Sequence, residues 1–298
     1  LSAQRTAFIE LAEASGLQHL TGDERNALHT STFGVGELLL AALDQGAEKA
    51  LLLLGGSATN DGGAGMLQAL GTRFLDQNDE PLPPGGAALS QLTRLTLDGL
   101  DPRLASLTLE AAVDVDNPLL GVRGASAVFG PQKGASPEEV EQLDRALGLF
   151  ADISAQILGE DYRTLPGAGA AGGIGFAAKA FLNATLKPGI EMIMQQADMA
   201  TLLANADLVI TGEGRLDGQS LAGKTPIGVS RAAKRLNKPV IVLAGSLGDG
   251  WQACFDEGVT AAFALADGPT TLADALPRTA ELLEAHCENL LRLWVHKL

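Results

Sequence analysis

The chain has 298 residues, 46% of them hydrophobic, and a formal net charge of −15. That is enough apolar chain for one large domain or two, and too acidic for a broad basic face on nucleic acid or an anionic membrane. Its two cysteines, Cys254 and Cys287, rule out a disulfide framework and argue against zinc; with no long apolar run and no basic-then-apolar leader, neither a membrane span nor a secretory signal is expected, and a soluble cytoplasmic protein is.

The sequence starts at Leu1, without a methionine. Residues 6–11 predict a short buried strand and 12–20 a loop or brief helix. Residues 29–37 place hydroxyls and glycines ahead of Leu38-Leu39-Leu40-Ala41-Ala42-Leu43, a helix expected to end near Gly46. Those hydroxyls either cap the helix or hold an anion at its N-terminus, and capping is the simpler account. Residues 50–54 read as a strand buried in a parallel sheet.

Gly55-Gly56-Ser57-Ala58-Thr59-Asn60-Asp61-Gly62-Gly63 follows directly and leads into a helix over about 64–70. Asp61 alone could be its cap. A cap needs one such residue, however, and Ser57, Thr59, Asn60 and Asp61 stand together, so this is read as a ligand loop. Residues 73–75 predict a strand and 81–86 an irregular loop. Residues 107–113 predict another strand, running into Asp114-Val115-Asp116-Asn117-Pro118. If the strand continues, its period of two puts Asp114 and Asp116 on one face, where they suit a Mg2+ site or a general base. An Asx turn before Pro118 explains Asn117 and Asp116 more easily than Asp114.

Phe129-Gly130-Pro131-Gln132-Lys133-Gly134-Ala135 is a loop with one cation, Lys133. Ser136-Pro137-Glu138-Glu139 is a capping box with proline in the first turn. It opens a helix to about Leu158 whose stripe of Val140, Leu143, Leu147, Phe150 and Ile153 faces the core. The glycine-rich residues 167–175 open a helix through Phe181. No apolar strand precedes them, so a dinucleotide fingerprint is weak and close backbone packing is equally expected. One helix is expected over 191–203.

Residues 207–210 predict a strand. After it, Thr211-Gly212-Glu213-Gly214-Arg215-Leu216-Asp217 and the run to Pro226 gather carboxylates, cations, hydroxyls and glycines ahead of a helix, a combination suited to a charged polar ligand. Gly218 to Thr225 fits G-x-x-x-x-G-K-[ST]. Residues 211–217 intervene after the expected strand, though, and Pro226 lacks an N–H, so the match reads as accidental, with Lys224 a supporting cation. Residues 239–246 and 259–265 predict two more strands, and 272–298 a helix interrupted at Pro277. Strands and helices alternate throughout, which predicts an α/β fold with mostly parallel sheets.

Nucleophilic hydrolysis lacks a G-x-S-x-G elbow, and zinc lacks ligands at suitable spacing. Carboxylates, glycine loops and a few cations suit phosphoryl transfer. A nicotinamide-dependent dehydrogenase of small hydroxy acids would use similar loops, and an inactive binding fragment is a further alternative.

Residues 55–63, 114–118, 129–135, 166–173 and 211–217 together resemble the class I glycerate kinases, in that family's order and across nearly the whole chain. The resemblance implies ATP-dependent, Mg2+-assisted phosphorylation of D-glycerate to 2-phosphoglycerate, the 3-phosphate being less expected. It implies two α/β domains with the site between them, one flavodoxin-like and inserted into the other. Residues 1–205 would then be the inserted domain. Residues 206–298 would be the C-terminal part of a Rossmann-like second domain, whose N-terminal half, bearing the family's Pro-Asp-Ser-Phe-Lys-Gly motif, is not among these residues. From their positions at the ends of expected strands, Asp114, Asp116, Asp217 and Glu213 are the catalytic candidates, with Asp114 and Asp116 as metal ligands. Ser57, Thr59, Asn60, Asp61, Lys133, Arg215 and Lys224 are the candidates for holding substrate or nucleotide. A monomer and a homodimer both remain compatible with the sequence.

Overall fold

Short apolar runs broken by glycine become strands in the computed structural model, which describes residues 5–296. The strands are β1 (Thr6–Glu10), β2 (Lys49–Leu53), β3 (Arg73–Leu75), β4 (Arg94–Thr96), β5 (Thr108–Ala112), β6 (Thr185–Lys187), β7 (Val209–Leu216), β8 (Val240–Leu247) and β9 (Ala261–Ala264). One sheet has the order β1-β2-β5-β6 and another β7-β8-β9, both parallel, while β3 and β4 form an antiparallel ribbon. The fold is therefore α/β with mostly parallel sheets, as expected. Ala50, Leu51 and Leu52 are fully buried, which is why β2 reads as an unbroken apolar run instead of an alternating one.

The chain divides into two units, one ending at Gly189 and one starting at Ile190. In the first, helix Pro137–Leu158 is fixed at its start by the expected box: Ser136 Oγ accepts from the Glu139 N–H at 3.2 Å, and Glu139 Oε2 accepts from the Ser136 N–H at 2.7 Å. Its Leu143, Leu147 and Phe150 are fully buried, and the Phe150 ring lies 5.3 Å from that of Phe74 and 5.5 Å from that of Phe176. The second unit builds a smaller core from Leu216, Ile227, Val242, Ala244, Cys254 and Val259.

Several elements depart from expectation. Residues 191–203 form two helices, Gly189–Gln196 and Met199–Asn205, because Asp198 adopts φ +48° and breaks the ladder between them. The helix after residue 29 begins at Phe33, before its apolar run. β6 is too short and polar to show periodicity, and pairing with β5 makes it a strand. β5 ends at Ala112 where β6 runs out, the Val113 N–H donating to the Lys187 carbonyl at 2.8 Å. Asp114 and Asp116 consequently lie beyond the strand, and period-two spacing does not relate them. β7 is longer than expected: Thr211 to Leu216 pair with β8, in register with Val242 to Leu247. Gly212 permits this, since a Cβ there would lie 2.4 Å from the Leu243 carbonyl oxygen. The terminal helices, Leu272–Ala275 and Thr279–Val295, flank a turn containing Pro277 as expected, and residues 297–298 lie outside the described residues.

One charged group in the first sheet had no sequence signal. Glu110 on β5 is buried, with Oε1 3.1 Å from Lys49 Nζ and 2.8 Å from Lys187 Nζ. Burial pushes its carboxyl up, but the hydrogen bonds and charges of the two lysines together hold it below the usual glutamate range. Such a group stabilises the fold above its unfolded pKa, and that stability is lost as pH falls through its lowered folded pKa. Glu110→Gln is expected to cost about 1–2 kcal/mol at pH 7, the lysines being partly exposed, and progressively less below pH 4.5. Urea unfolding at both pH values measures this.

Candidate functional site

The loop after β2 is built by glycine and a buried aspartate. Gly62 and Gly63 have φ of +66° and +81°, which turns the chain so that Asp61 points inward. Asp61 is fully buried. Its Oδ2 accepts from the Thr32 N–H and hydroxyl, both at 2.8 Å, and from the Gly65 N–H at 3.2 Å, while Oδ1 accepts from the Gly63 N–H at 3.0 Å. Burial pushes its carboxyl above the usual range, against the pull of these four bonds. The Thr32 hydroxyl also accepts from the Met66 N–H at 2.8 Å. It cross-links two loops in place of capping its own helix, for which it makes no side-chain cap bond.

Lys133 sits at the end of a one-turn helix, Pro131–Lys133. It is 2% exposed, and its Nζ donates to the Thr59 carbonyl at 2.6 Å and reaches Ser57 Oγ at 3.5 Å. Burial pushes its pKa down to about 8, with the Asp61 charge opposing. Lys133 has no carboxylate within ion-pair distance in the described residues. Together with Gly55, Ser57, Asp114, Phe129 and Ala171 it lines a cavity of about 370 Å³. A largely buried ammonium at a small cavity lined mainly by apolar residues is suited to a carboxylate or phosphate.

The glycine-rich stretch supports this loop through its backbone. Ala171, Gly172 and Gly173 have φ of +53°, +70° and +98°, and the Gly62 N–H donates to the Gly172 carbonyl at 2.9 Å. A Cβ on Gly172 would lie 2.0 Å from the Thr59 carbonyl oxygen. Gly172→Ala should therefore destabilise by more than about 2 kcal/mol, whereas Ala171→Gly should relieve left-handed strain and stabilise by about 1 kcal/mol. Chemical denaturation of the two variants would show opposite shifts. Asn60 Nδ2 donates to Ser126 Oγ at 2.8 Å, and its Oδ1 is buried with no partner among the described residues.

The two aspartates after β5 diverge. Asp114 is exposed at the cavity, its Oδ1 accepting from the Gly189 N–H at 2.8 Å. Its Oδ2 has no hydrogen-bond partner among the described residues. Asp116 instead pairs with Arg123 at 2.9 Å on the surface. No group of three His, Cys, Asp or Glu residues is arranged around a metal position among the described residues.

In the second unit, Glu213 on β7 has Oε2 3.8 Å from Lys224 Nζ and Oε1 buried without a partner among the described residues. Asp217 is largely spent: Oδ1 accepts from the Gln219 N–H at 3.0 Å, and Oδ2 is 3.2 Å from Arg215 Nε. The G-x-x-x-x-G-K-T segment begins two residues after β7 ends, so a detached strand is not the objection to it. Five of its N–H groups are already committed within the protein, that of Gly218 to Asp249, those of Gln219 and Ser220 to Asp217, and those of Gly223 and Lys224 to Ser220. Backbone donors so engaged cannot cradle a phosphate as a P-loop does.

A model of the glycerate kinase family matches residues 1–295. A glycerate kinase of Halalkalibacterium halodurans is 49% identical over 287 residues, 96% of this chain and 76% of that protein. One of Bacillus subtilis is 51% identical, covering 94% of this chain and 73% of the relative. The glycerate 2-kinase of Escherichia coli is 47% identical over 91% of this chain and 71% of its own length. A crystal structure from Salmonella typhimurium LT2, described as a candidate glycerate kinase 2, superposes with a TM-score of 0.87 at 47% identity over all of this chain and 78% of that one. Nothing among these relatives favours a nicotinamide dehydrogenase.

Proposed function

We propose, from the premise that this chain belongs to the glycerate kinase family, that it transfers the γ-phosphoryl group of ATP to the C2 hydroxyl of D-glycerate, giving 2-phosphoglycerate and ADP. The observation that carries the assignment of roles is the cavity holding both Lys133 and Asp114. Lys133 takes the glycerate carboxylate. The C2 hydroxyl is one carbon from that carboxylate, and Asp114 Oδ2 takes its proton as the oxygen attacks the γ-phosphorus. The new O–P bond forms as the bond to the bridging oxygen of ADP breaks, and the charge spreads over the equatorial oxygens. Ser57, Thr59 and Asn60 shape the acid's site; the second unit, taken by itself, carries Arg215 and Lys224, cations whose charge suits a phosphate. Asp217 holds the turn that presents them, and Asp116 holds Arg123.

Mg2+ in such reactions takes one or two carboxylates together with phosphate oxygens, so the lack of a dedicated ligand cluster is compatible with it. The unpartnered Oε1 of Glu213 is an oxygen free to serve, and the ion would supply charge neutralisation at the phosphates. A cytoplasmic setting agrees with this substrate pair, and no described helix is long and apolar enough to cross a membrane. The 2-position is supported by the name of the Escherichia coli relative. The 31P spectrum of the product tests it. A 2-phosphate couples to one vicinal proton and gives a doublet; a triplet, from coupling to two protons, would assign the 3-position instead.

A further inference from the structure

We propose that Asp61 is a positioning residue that governs the pH range over which glycerate binds, by supplying the buried counter-charge that keeps Lys133 protonated. The inference rests on the assignment of glycerate to the Lys133 cavity. Three observations carry it. Lys133 is 2% exposed and donates only to neutral oxygens, those of Thr59 and Ser57. Asp61 is 0% exposed, follows Thr59 in the same loop by two residues, and has both oxygens occupied by protein donors. Fully buried and not part of the cavity lining, it does not touch substrate, and what it can offer is its charge. A buried ammonium without a nearby anion tends to lose its proton, and a lysine that does so no longer attracts a carboxylate.

Other charged groups around Lys133 are placed less effectively. Asp114 lines the same cavity but is exposed to solvent. Arg25 donates to the Gln132 carbonyl at 3.2 Å and is an opposing cation at the surface. Glu138 and Glu139, on the following helix, are engaged at Ser136. Lys179, on helix Ala170–Leu182, reaches Asn183 at that helix's far end. Water screens exposed charges, whereas Asp61 acts through protein alone. The inhibition of Lys133 deprotonation by Asp61 agrees in direction with the opposing influences on that lysine.

Asp61→Asn keeps the side chain's shape and removes its charge. Calorimetric titration of D-glycerate from pH 6 to 9, with no nucleotide present, reads the effect without turnover. In the unaltered enzyme, affinity should fall above about pH 8. In Asp61→Asn that fall should begin on the order of one pH unit lower, with affinity down by about threefold near pH 7.5 and approaching about tenfold only toward pH 9, while the affinity for ATP stays within about twofold. Thr32→Val, which removes a donor to Asp61 and so weakens its ionised form, should move the same limb in the same direction and provides the measurement if Asp61→Asn does not fold. Unchanged pH dependence in a folded variant would overturn the role of Asp61 and leave the glycerate site standing. Failure of the unaltered enzyme to bind glycerate at any pH would overturn that site and this inference with it.

Discussion

Asp114→Asn should lower kcat by about 10²–10⁴-fold, the usual worth of a general base, with the KM for ATP changed by less than about threefold. Its position explains the size of the effect. Asp114 lies past the end of β5 at the cavity it shares with Lys133, anchored through one oxygen by the Gly189 N–H at 2.8 Å, with the other oxygen unpartnered. Asparagine preserves the anchor and removes the proton acceptor. Asp116→Asn is the control, because Asp116 is held by Arg123 at the surface; its kcat should remain within about twofold. Steady-state rates of both variants decide the matter, and equal losses would place the base elsewhere.

Lys133→Met should separate activity from stability. Losing the ammonium removes a charge-assisted contact to the glycerate carboxylate, worth about 1.5–3 kcal/mol, so kcat/KM for glycerate should fall roughly 10- to 150-fold. The fold should tolerate the change well. Burial lowers the pKa of Lys133 to about 8 from 10.5, so its protonated form is a cost to the folded state below pH 8. Because the unfolded chain still binds that proton, native stability rises with pH as Lys133 deprotonates between about 8 and 10.5. Methionine is of similar length and apolar, and at pH 7 the variant should be equal to the unaltered protein or up to about 2 kcal/mol more stable. Guanidinium unfolding across pH 7–10 checks both parts: a gain at pH 7 that narrows as pH rises. A large loss of stability with unchanged kinetics would make Lys133 a structural residue only.

These expectations also show where sequence reasoning works. The apolar runs of β2, β8 and β9 and the box at Ser136 were legible because each depends on neighbours in the chain. The same holds for the loop of residues 55–63: a cluster of polar residues between paired glycines marks a tight polar turn wherever it occurs. The inward or outward direction of those residues was not legible. Asp61 and Lys133 look in sequence like ordinary exposed charges on glycine loops, and both are buried. The length of β7 was hidden for a related reason. Its glycines read as a loop until β8 lies alongside, and then they are what allows the backbones to pair.

By itself the sequence determined the α/β class, the strand–loop–helix order and the family, since these depend on local pattern and on motifs set out along one dimension. Only the tertiary structure separated Asp114 from Asp116, committed Asp217 and the backbone of residues 218–224 to a capped turn, and put Asp61, Thr32 and Lys133 around a single loop. The physical reason is that hydrogen-bond partners and burial are set by residues far apart in the chain, such as Thr59 with Lys133 and Thr32 with Asp61. No spacing rule within a motif encodes which lone pairs folding will leave free.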